Sequence, residues 1–389
     1  MPQFLPPLRL TGASVLRDGE MQRRSLAIDE GRLTTGPLPE VALPGYLLLP
    51  GIIDLHSDGF APRPGARVNW PSALAAADRR LAAQGITTAF LAQGWSWEGG
   101  LRSPDQAEAM LAALDDHRPA ALTDLRAQLR AETHLTDQAG RLLEAVRRHQ
   151  LHYVIFNNHL GQALAGARRG QSSLARRARR VGTTVADLTA GIEAACAHAR
   201  EVPRSLCRLA EAFDTLGVTY GSHDDPDGET REYFTALGAR VAEFPLTRKA
   251  ASAAHEMMCP VLMGAPNLLR GGSRAGNVGA EDLIRQGLCD ALVSDGDPSA
   301  LARAAWALVD RGLLPLSRAW ALISARPASI LRLVDRGQLD PGKRADLVVV
   351  HEASRRIEAV IAAGRLVWAT GEAGARIAAR QAPGRLAAE

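Results

Sequence analysis

The stretch "LPGIIDLHSDGF", Leu49 to Phe60, is a run of strand-forming apolar residues that ends in a histidine and an acid one residue apart. Side chains two residues apart point to the same face of a β-strand, so His56 and Asp58 aim together at one point beyond the predicted strand 49–55. An imidazole and a carboxylate that share a point are typical ligands of a divalent metal. The competing interpretation is an exposed polar turn after a buried strand, and this short motif does not distinguish the two.

Length and composition predict a globular protein with one large and one smaller domain, since the chain has 389 residues of which 46% are hydrophobic and 23% charged. The net charge of +4 is only mildly basic, and lysine occurs only at Lys249 and Lys343. The arginine-rich segment "RRGQSSLARRARR", Arg168 to Arg180, is interpreted as the solvated face of a helix, with a polyanion-binding patch as the alternative.

The cysteines and the N-terminus predict a location in the cytoplasm. Four cysteines without CxxC spacing give neither a disulfide framework nor a zinc knuckle, which fits a reducing compartment. The N-terminus shows no basic region followed by an apolar core, and no apolar run approaches about 18 residues. We therefore expect neither secretion nor a membrane-spanning segment, and no membrane or nucleic-acid partner.

The pattern along the chain predicts an α/β fold, a (β/α)8 TIM barrel with a small β-sandwich domain formed from both termini. Residues 1–48 and 338–389 show short strands broken by turns, whereas residues 49–337 alternate strands with Ala/Leu/Arg-rich helices. The predicted barrel strands are 49–55, 86–92, 125–131, 152–157, 218–221, 241–244, 261–264 and 291–294. The helical stretch 173–216 is predicted to be an insertion. A doubly wound open sheet is the competing fold, and its Gly-X-Gly-X-X-Gly turn is missing.

Polar side chains stand at the C-terminal ends of these strands, where barrel enzymes place their chemistry. A single strand-end acid commonly caps the next helix. Here five strands each offer a ligand-type side chain at the same end of the barrel, which favours a metal site for one or two borderline divalent ions, zinc or manganese. The residues are His56, Asp58, Glu132, His159, His223, Asp224 and Asp295.

Two of these acids suit particular roles in metal-dependent hydrolysis. A bound metal lowers the pKa of water, and a nearby carboxylate takes the proton as water attacks. Asp295, after the last strand, suits that proton transfer. Glu132 suits a ligand that bridges two ions, because neither Lys249 nor Lys343 lies at a mid-barrel strand end, where a bridging carboxylated lysine would be needed.

A glycine-rich block, "GAPNLLRGGSRAGN" from Gly264 to Asn277, predicts an anion site beside the metal residues. Successive glycines let backbone N–H groups approach an anion, and the neighbouring polar side chains add donors. A flexible surface loop is the alternative. The predicted ligand is a small phosphorylated molecule, bound by Arg270, Gly271, Gly272, Ser273, Arg274 and Asn277, with Arg63 at the mouth of the site.

The segments "LPGIIDLHSD", "GITTAFL" and "LDPGKRADLVVV" resemble the first strand, the second strand and the closing segment of the amidohydrolase superfamily. The blocks "LRAE", "GSHDD", "AEFPLT", "VLMGAPNLLRGGSRAGNV" and "ALVSD" are similar to the diphosphatases of phosphonate catabolism within it. The resemblance implies metal-dependent release of pyrophosphate from a ribosyl 5-triphosphate. It also implies an acid/base at Asp295 and metal ligands at His56, Asp58, Glu132, His159 and His223.

This sequence departs from the family pattern close to the predicted pocket. The segment after the first strand is shorter than in the family, and other residue types replace family residues at Gly59, Asn158, Arg274, Gly296 and Asp297. The strand count also places the two later histidines after the fourth and fifth strands, whereas the superfamily usually has them after the fifth and sixth. The resemblance therefore constrains the metal chemistry more than the substrate.

The sequence is compatible with three functions. The first is the diphosphatase reaction. The second is an amidohydrolase or deacetylase that acts on an N-acyl or phosphorylated small molecule, and the third is a metal-free scaffold. A homodimer is expected by analogy with other barrel hydrolases.

Overall fold

The computed structural model describes residues 4–62, 68–273 and 275–381. The strands are β1 (Leu8–Thr11), β2 (Ser14–Arg17), β3 (Glu20–Arg23), β4 (Leu26–Asp29), β5 (Arg32–Thr34), β6 (Glu40–Ala42), β7 (Tyr46–Pro50), β8 (Ile52–Ser57), β9 (Ile86–Trp95), β10 (Asp124–Glu132), β11 (Tyr153–Asn157), β12 (Thr219–His223), β13 (Val241–Glu243), β14 (Val261–Gly264), β15 (Ala291–Val293), β16 (Leu347–His351), β17 (Ile357–Ala362) and β18 (Arg365–Ala369). The helices are α1 (Trp70–Ala83), α2 (Pro104–His117), α3 (Ala139–Arg148), α4 (Leu160–Arg168), α5 (Gln171–Val181), α6 (Val185–Ala197), α7 (Val202–Leu216), α8 (Gly228–Ala236), α9 (Arg248–Glu256), α10 (Ala265–Arg270), α11 (Ala280–Arg285), α12 (Ala300–Asp310), α13 (Leu316–Ala321), α14 (Ala325–Ile330) and α15 (Gly371–Ala378).

The central sheet has eight strands in chain order from β8 to β15, and every neighbouring pair is parallel. The first and last strands meet through a side chain, because the buried Asp54 carboxylate accepts from the backbone N–H of Ser294 at 3.0 Å. The N–H of Asp295 adds a bond of 3.2 Å to the carbonyl oxygen of His56. The sheet thus curves into a nearly closed barrel, and the predicted (β/α)8 fold is confirmed.

Strands from both ends of the chain build the small domain. One sheet has the order β5-β4-β1-β6, and the other has the order β18-β17-β16-β7-β2-β3. In the second sheet β7 pairs antiparallel with β16 and parallel with β2, which joins the two ends of the chain. The predicted strand 49–55 is therefore divided at Gly51, since its first residues belong to β7 and its later ones to β8. The domain limits 1–48, 49–337 and 338–389 stay a prediction.

The extra helical segment lies earlier in the chain than the sequence predicts. Helix α7 packs Leu206, Leu209 and Phe213 into the main apolar core, as the helix after a barrel strand does. Helices α4, α5 and α6 bury a separate apolar cluster of their own, which includes Leu160, Ala178, Leu188 and Ile192. The prediction that 173–216 is the insertion was wrong at both ends, and the added unit is α4 to α6.

A partly buried ion-pair network joins the barrel to the segment that leads into the small domain. Asp124, at the start of β10, lies 2.5 Å from an Arg336 Nη atom, 2.9 Å from Arg126 and 3.8 Å from Arg344. Burial raises the pKa of Asp124, but the three guanidinium groups outweigh burial and lower that pKa to about 2. The carboxylate is therefore held ionised where the two parts of the chain meet.

Asp124→Asn is expected to lower the free energy of unfolding at pH 7 by about 2 kcal/mol. The folded pKa lies below the ordinary 3.8, so the stabilisation is complete above about pH 4 and is lost as the pH falls through 2. Urea unfolding at pH 7 and at pH 3 should therefore show a smaller difference between variant and wild type at the lower pH. Asp310→Asn, which removes an exposed partner of Arg355, is the control and should change stability far less. A pH-independent difference for Asp124→Asn would contradict this assignment.

The helices within the described residues include none that is both long and apolar enough to cross a membrane. Cys196, Cys207, Cys259 and Cys289 are free thiols.

Candidate active site

Two strands aim a row of polar side chains at the same region. Alternation along β8 gives Asp54, His56 and Asp58 a common face, while Ile53 and Leu55 join a buried apolar cluster. The same alternation along β10 aligns Gln128, Arg130 and Glu132. The alternation along β8 and β10 therefore places the aligned polar side chains of both strands on one face, in a row that ends at the C-terminal end of the barrel.

Glu243, the last residue of β13, forms hydrogen bonds to several side chains at the centre of the site. It is fully buried, and one carboxylate oxygen lies 3.0 Å from His56 Nδ1 and 3.1 Å from His223 Nδ1. The other oxygen accepts from Gln128 Nε2 at 2.5 Å and from the Tyr153 hydroxyl at 2.7 Å. Because both imidazoles use Nδ1–H to reach Glu243, each keeps the lone pair of Nε2 for another partner.

Burial and the neighbouring charges together set the ionisation of both histidines and of Glu243. Burial alone would lower the pKa of His56, but the Glu243 carboxylate outweighs it and raises that pKa. Burial and then the neighbouring Arg130 lower the pKa of His223 to about 4, so His223 is neutral at pH 7. Burial raises the pKa of Glu243, yet the two imidazoles hold that pKa well below its usual range.

Asp58 and Asp295 face each other from the first and last barrel strands. Ligand atoms of His56, Asp58 and Asp295 all lie within 4.8 Å of one another. Partial removal from water raises the pKa of Asp295, and the negative charge of Asp58 raises it further. Two carboxylates held this closely repel each other, and a cation between them relieves the repulsion.

Glu132 and His159 belong to a second group of ligand-type side chains. Nδ1 of His159 and its backbone N–H both contact the Glu132 carboxylate, the latter at 3.1 Å, and Trp97 Nε1 donates to the same carboxylate at 3.2 Å. Ligand atoms of Glu98, Glu132 and His159 lie within 4.8 Å of one another, and all three residues are buried. This second group is the one that suits a bridging or second ion.

Arg130 stands between the two groups. One Arg130 Nη atom donates to Nε2 of His223 at 3.0 Å, and the Asn157 side-chain oxygen accepts from the guanidinium at 3.1 Å when its amide is flipped. The lone pair of His223 that a metal would use is therefore occupied by Arg130 in this structure. The structure brings His223 close to His56, with ring centroids 5.5 Å apart.

The strand positions of the two later histidines agree with the sequence count. His159 follows β11 and His223 ends β12, which are the fourth and fifth strands of the eight-stranded sheet. The chain therefore differs from the superfamily pattern of the fifth and sixth strands. The sixth strand, β13, instead supplies Glu243.

The glycine-rich block lines the cavity through its side chains. Arg270, Ser273 and Asn277 border a cavity of about 330 Å³. The same cavity is lined by His56, Asp58, His159, His223 and Asp295. The N–H groups of Gly271 and Gly272 donate to the carbonyl oxygens of Leu268 and Asn267. These glycines end helix α10 and offer no free backbone donor to the cavity, contrary to the expected anion-binding geometry.

Two predicted binding residues, Arg63 and Arg274, lie outside the described residues. Gly59 does not have the positive φ of a tight glycine turn. A Cβ atom at Gly59 would instead lie 2.5 Å from the carbonyl oxygen of Gly296. Glycine is required there because the loops that carry Asp58 and Asp295 approach closely.

Sequence reasoning did not place Glu243, Arg130, Glu98, Arg102 and Arg180 at the site, although all touch the site or its cavity and Arg180 lies in the segment for which a polyanion-binding patch was the alternative. Two of them carried a usable signal. Glu243 is the last residue but one of the predicted strand 241–244, and Arg130 precedes Glu132 by two residues and so shares its face. The other three lie on loops and on an added helix, and strand-end reasoning does not reach them.

The side chains present fit a divalent cation. Three groups of histidine and carboxylate ligand atoms converge, and the Asp58–Asp295 pair concentrates negative charge beside His56.

The fold, the strand-end ligand groups and the comparison with known sequences together define a class. A model of the amidohydrolase family matches residues 72–373, and the chain belongs to that family. It is thus a hydrolase of the amidohydrolase type. Among characterised relatives, the chain is 32% identical to alpha-D-ribose 1-methylphosphonate 5-triphosphate diphosphatase of Escherichia coli (strain K12) over 380 residues. The match covers 90% of this chain and 96% of that enzyme.

Solved structures support the fold. An N-acetyl-D-glucosamine-6-phosphate deacetylase from Mycobacterium smegmatis superposes with a TM-score of 0.63 at 16% identity, covering 93% of this chain and 99% of that chain. A beta-aspartyl dipeptidase from Fervidobacterium islandicum AW-1 gives a TM-score of 0.63 at 16% identity, covering 93% and 97%. At this identity the likeness concerns the fold alone.

Proposed function

We propose that this chain is a metal-dependent diphosphatase that releases pyrophosphate from a ribosyl 5-triphosphate, with α-D-ribose 1-methylphosphonate 5-triphosphate as the substrate. The observation that carries the proposal is the composition of one cavity. His56, Asp58 and Asp295 stand on one side of it, while Arg102, Arg130, Arg180 and Arg270 supply four guanidinium groups. Guanidinium groups bind phosphate oxygens in a forked geometry, which an amide substrate would not need.

In this proposal the metal, zinc or manganese, is held by His56, Asp58, Glu132, His159 and His223. When bound, a divalent ion lowers the pKa of water and withdraws electron density from a phosphoryl oxygen. For His223 to serve, Arg130 has to leave Nε2, and a phosphate of the substrate offers the guanidinium a stronger partner. Substrate and metal would then be bound together.

The remaining residues bind the substrate and move the proton. Attack by water forms a new phosphorus–oxygen bond and breaks the bridge between the α- and β-phosphates, so that pyrophosphate leaves and the 5-phosphate remains. Asp295 accepts the water proton on a carboxylate oxygen, and its raised pKa suits that step. Arg270, Ser273 and Asn277 face the same cavity and are proposed to hold the sugar phosphate.

The test is a product assay on the metal-loaded protein with three substrates: the phosphonate triphosphate, ATP and N-acetylglucosamine 6-phosphate. We expect pyrophosphate from the first alone, abolished by a chelator and restored by a divalent ion. Acetate from the sugar phosphate without pyrophosphate would favour the deacetylase alternative. No product, no bound metal and a thermal stability insensitive to chelators would favour the metal-free scaffold. The cytoplasmic location and the homodimer stay predictions.

A further inference from the structure

The arginine-rich segment reaches the cavity, although the sequence favoured a solvated helix face for it. Arg180, in the last turn of α5, lines the cavity together with Arg102 and Arg130. Arg179, the preceding residue, is exposed like Arg180 but does not line the cavity. The helix thus presents one of two adjacent arginines to the site.

Close packing holds the added helices against the loop that follows β9. A Cβ atom at Gly100 would lie 2.1 Å from the carbonyl oxygen of Val181, and one at Gly191 would lie 2.4 Å from that of Trp97. Trp97 also packs in the apolar cluster of α4 to α6 while its Nε1 donates to Glu132. Because backbone meets backbone at both glycines, Arg180 is placed by a fixed contact rather than by a loose loop.

The arginines around this side of the cavity outnumber the carboxylates that lie within ion-pair distance of them. The buried Glu98 carboxylate is shared by Arg102 at 2.6 Å and Arg177 at 2.7 Å. Across the described residues, no carboxylate lies within 4.0 Å of the guanidinium nitrogens of Arg130, Arg180 or Arg270. Burial, followed by repulsion from Arg102 and Arg177, lowers the pKa of Arg180. Grouped guanidinium groups without carboxylate partners are stabilised by an anion of matching charge.

We propose that Arg102, Arg130 and Arg180 form a polyphosphate-binding subsite, to which the added helix α5 contributes Arg180. Three guanidinium groups along one wall match several adjacent phosphates better than a single phosphate. The inference rests on the proposed function in one respect, since a triphosphate ester is the substrate whose phosphates would occupy the subsite. The residues differ from those of the glycine-rich block, which follows β14.

The experiment measures binding of inorganic tripolyphosphate to the full chain by calorimetry, with magnesium in excess over the polyanion so that the protein keeps its own metal. Arg180→Ala should weaken the tripolyphosphate Kd by about tenfold or more, because a charge-assisted pair is lost. Arg179→Ala, one residue away on the same helix, should stay within about twofold of wild type. Orthophosphate should bind more weakly and respond less to Arg180→Ala. Metal content, measured in parallel, should be the same in all three proteins.

The outcomes separate the subsite from the reaction. Equal Kd values for the two variants, or no binding of tripolyphosphate to wild type, would overturn the subsite. An Arg180-dependent Kd without turnover of the ribosyl triphosphate would support the subsite and overturn the proposed reaction. Turnover with an unchanged KM in Arg180→Ala would support the reaction and overturn the subsite.

Discussion

Replacing His56 with alanine is expected to reduce bound metal and hydrolysis together, with hydrolysis falling by more than about 100-fold. Substitution of a residue that only contacts a metal ligand typically lowers metal affinity or activity by about 10- to 100-fold. His56 itself belongs to two of the three ligand groups, so its loss should have a larger effect. The barrel should stay folded, since the bond between the first and last strands uses the Asp54 side chain and the backbone oxygen of residue 56.

Metal per chain by elemental analysis, turnover and far-ultraviolet circular dichroism check this expectation. His152→Ala is the matched control, because His152 is exposed, precedes β11 and does not line the cavity. It should keep both metal and activity. Full metal content and turnover in His56→Ala would show that the strand-end histidine is not a ligand.

Glu243→Leu is expected to lower activity by about 100-fold and to weaken metal binding. Leucine removes the acceptor for both imidazole Nδ1–H groups, so neither ring is fixed in the tautomer that leaves Nε2 available. Glu243→Gln should cost about tenfold. A glutamine oxygen in place of the carboxylate oxygen between the histidines keeps both bonds, and the unpaired Oε1 of Gln128 can turn to accept from the new amide.

Comparison of Glu243→Leu with Glu243→Gln distinguishes the loss of the hydrogen bonds to the imidazoles from the loss of the negative charge. Tyr153→Phe is the control, because it removes one donor to Glu243 and leaves both imidazole bonds in place. Metal titration of all three proteins should order the affinities as Tyr153→Phe, then Glu243→Gln, then Glu243→Leu. If Glu243→Leu bound metal as tightly as wild type with an unchanged pH profile, Glu243 would not position the histidines.

Much of the candidate site could be predicted from local pattern. A strand buried on both sides that ends in ligand-type residues is readable one strand at a time, and the eight predicted strands correspond to the eight of the barrel. Arg130 and Glu243 were readable by the same rules and were passed over, since arginine is not a metal ligand and Glu243 lies inside the predicted strand rather than after it. The glycines of the "RGGS" block show the opposite error, because their sequence suggests an anion site while their amides close a helix.

The barrel, the residue types at its strand ends and the family could be predicted from the amino-acid sequence, because side-chain period, turn residues and motif spacing are local properties of the chain. Which of these side chains meet depends on the three-dimensional packing. Glu243 joins His56 and His223 across a sequence separation of 187 residues for the first pair. Helix α5 lines the cavity with Arg180 but not with Arg179, and Gly100 lets the end of this helix approach the loop after β9 closely. Such contacts depend on the curvature of the sheet and on close backbone approach, which no single segment encodes.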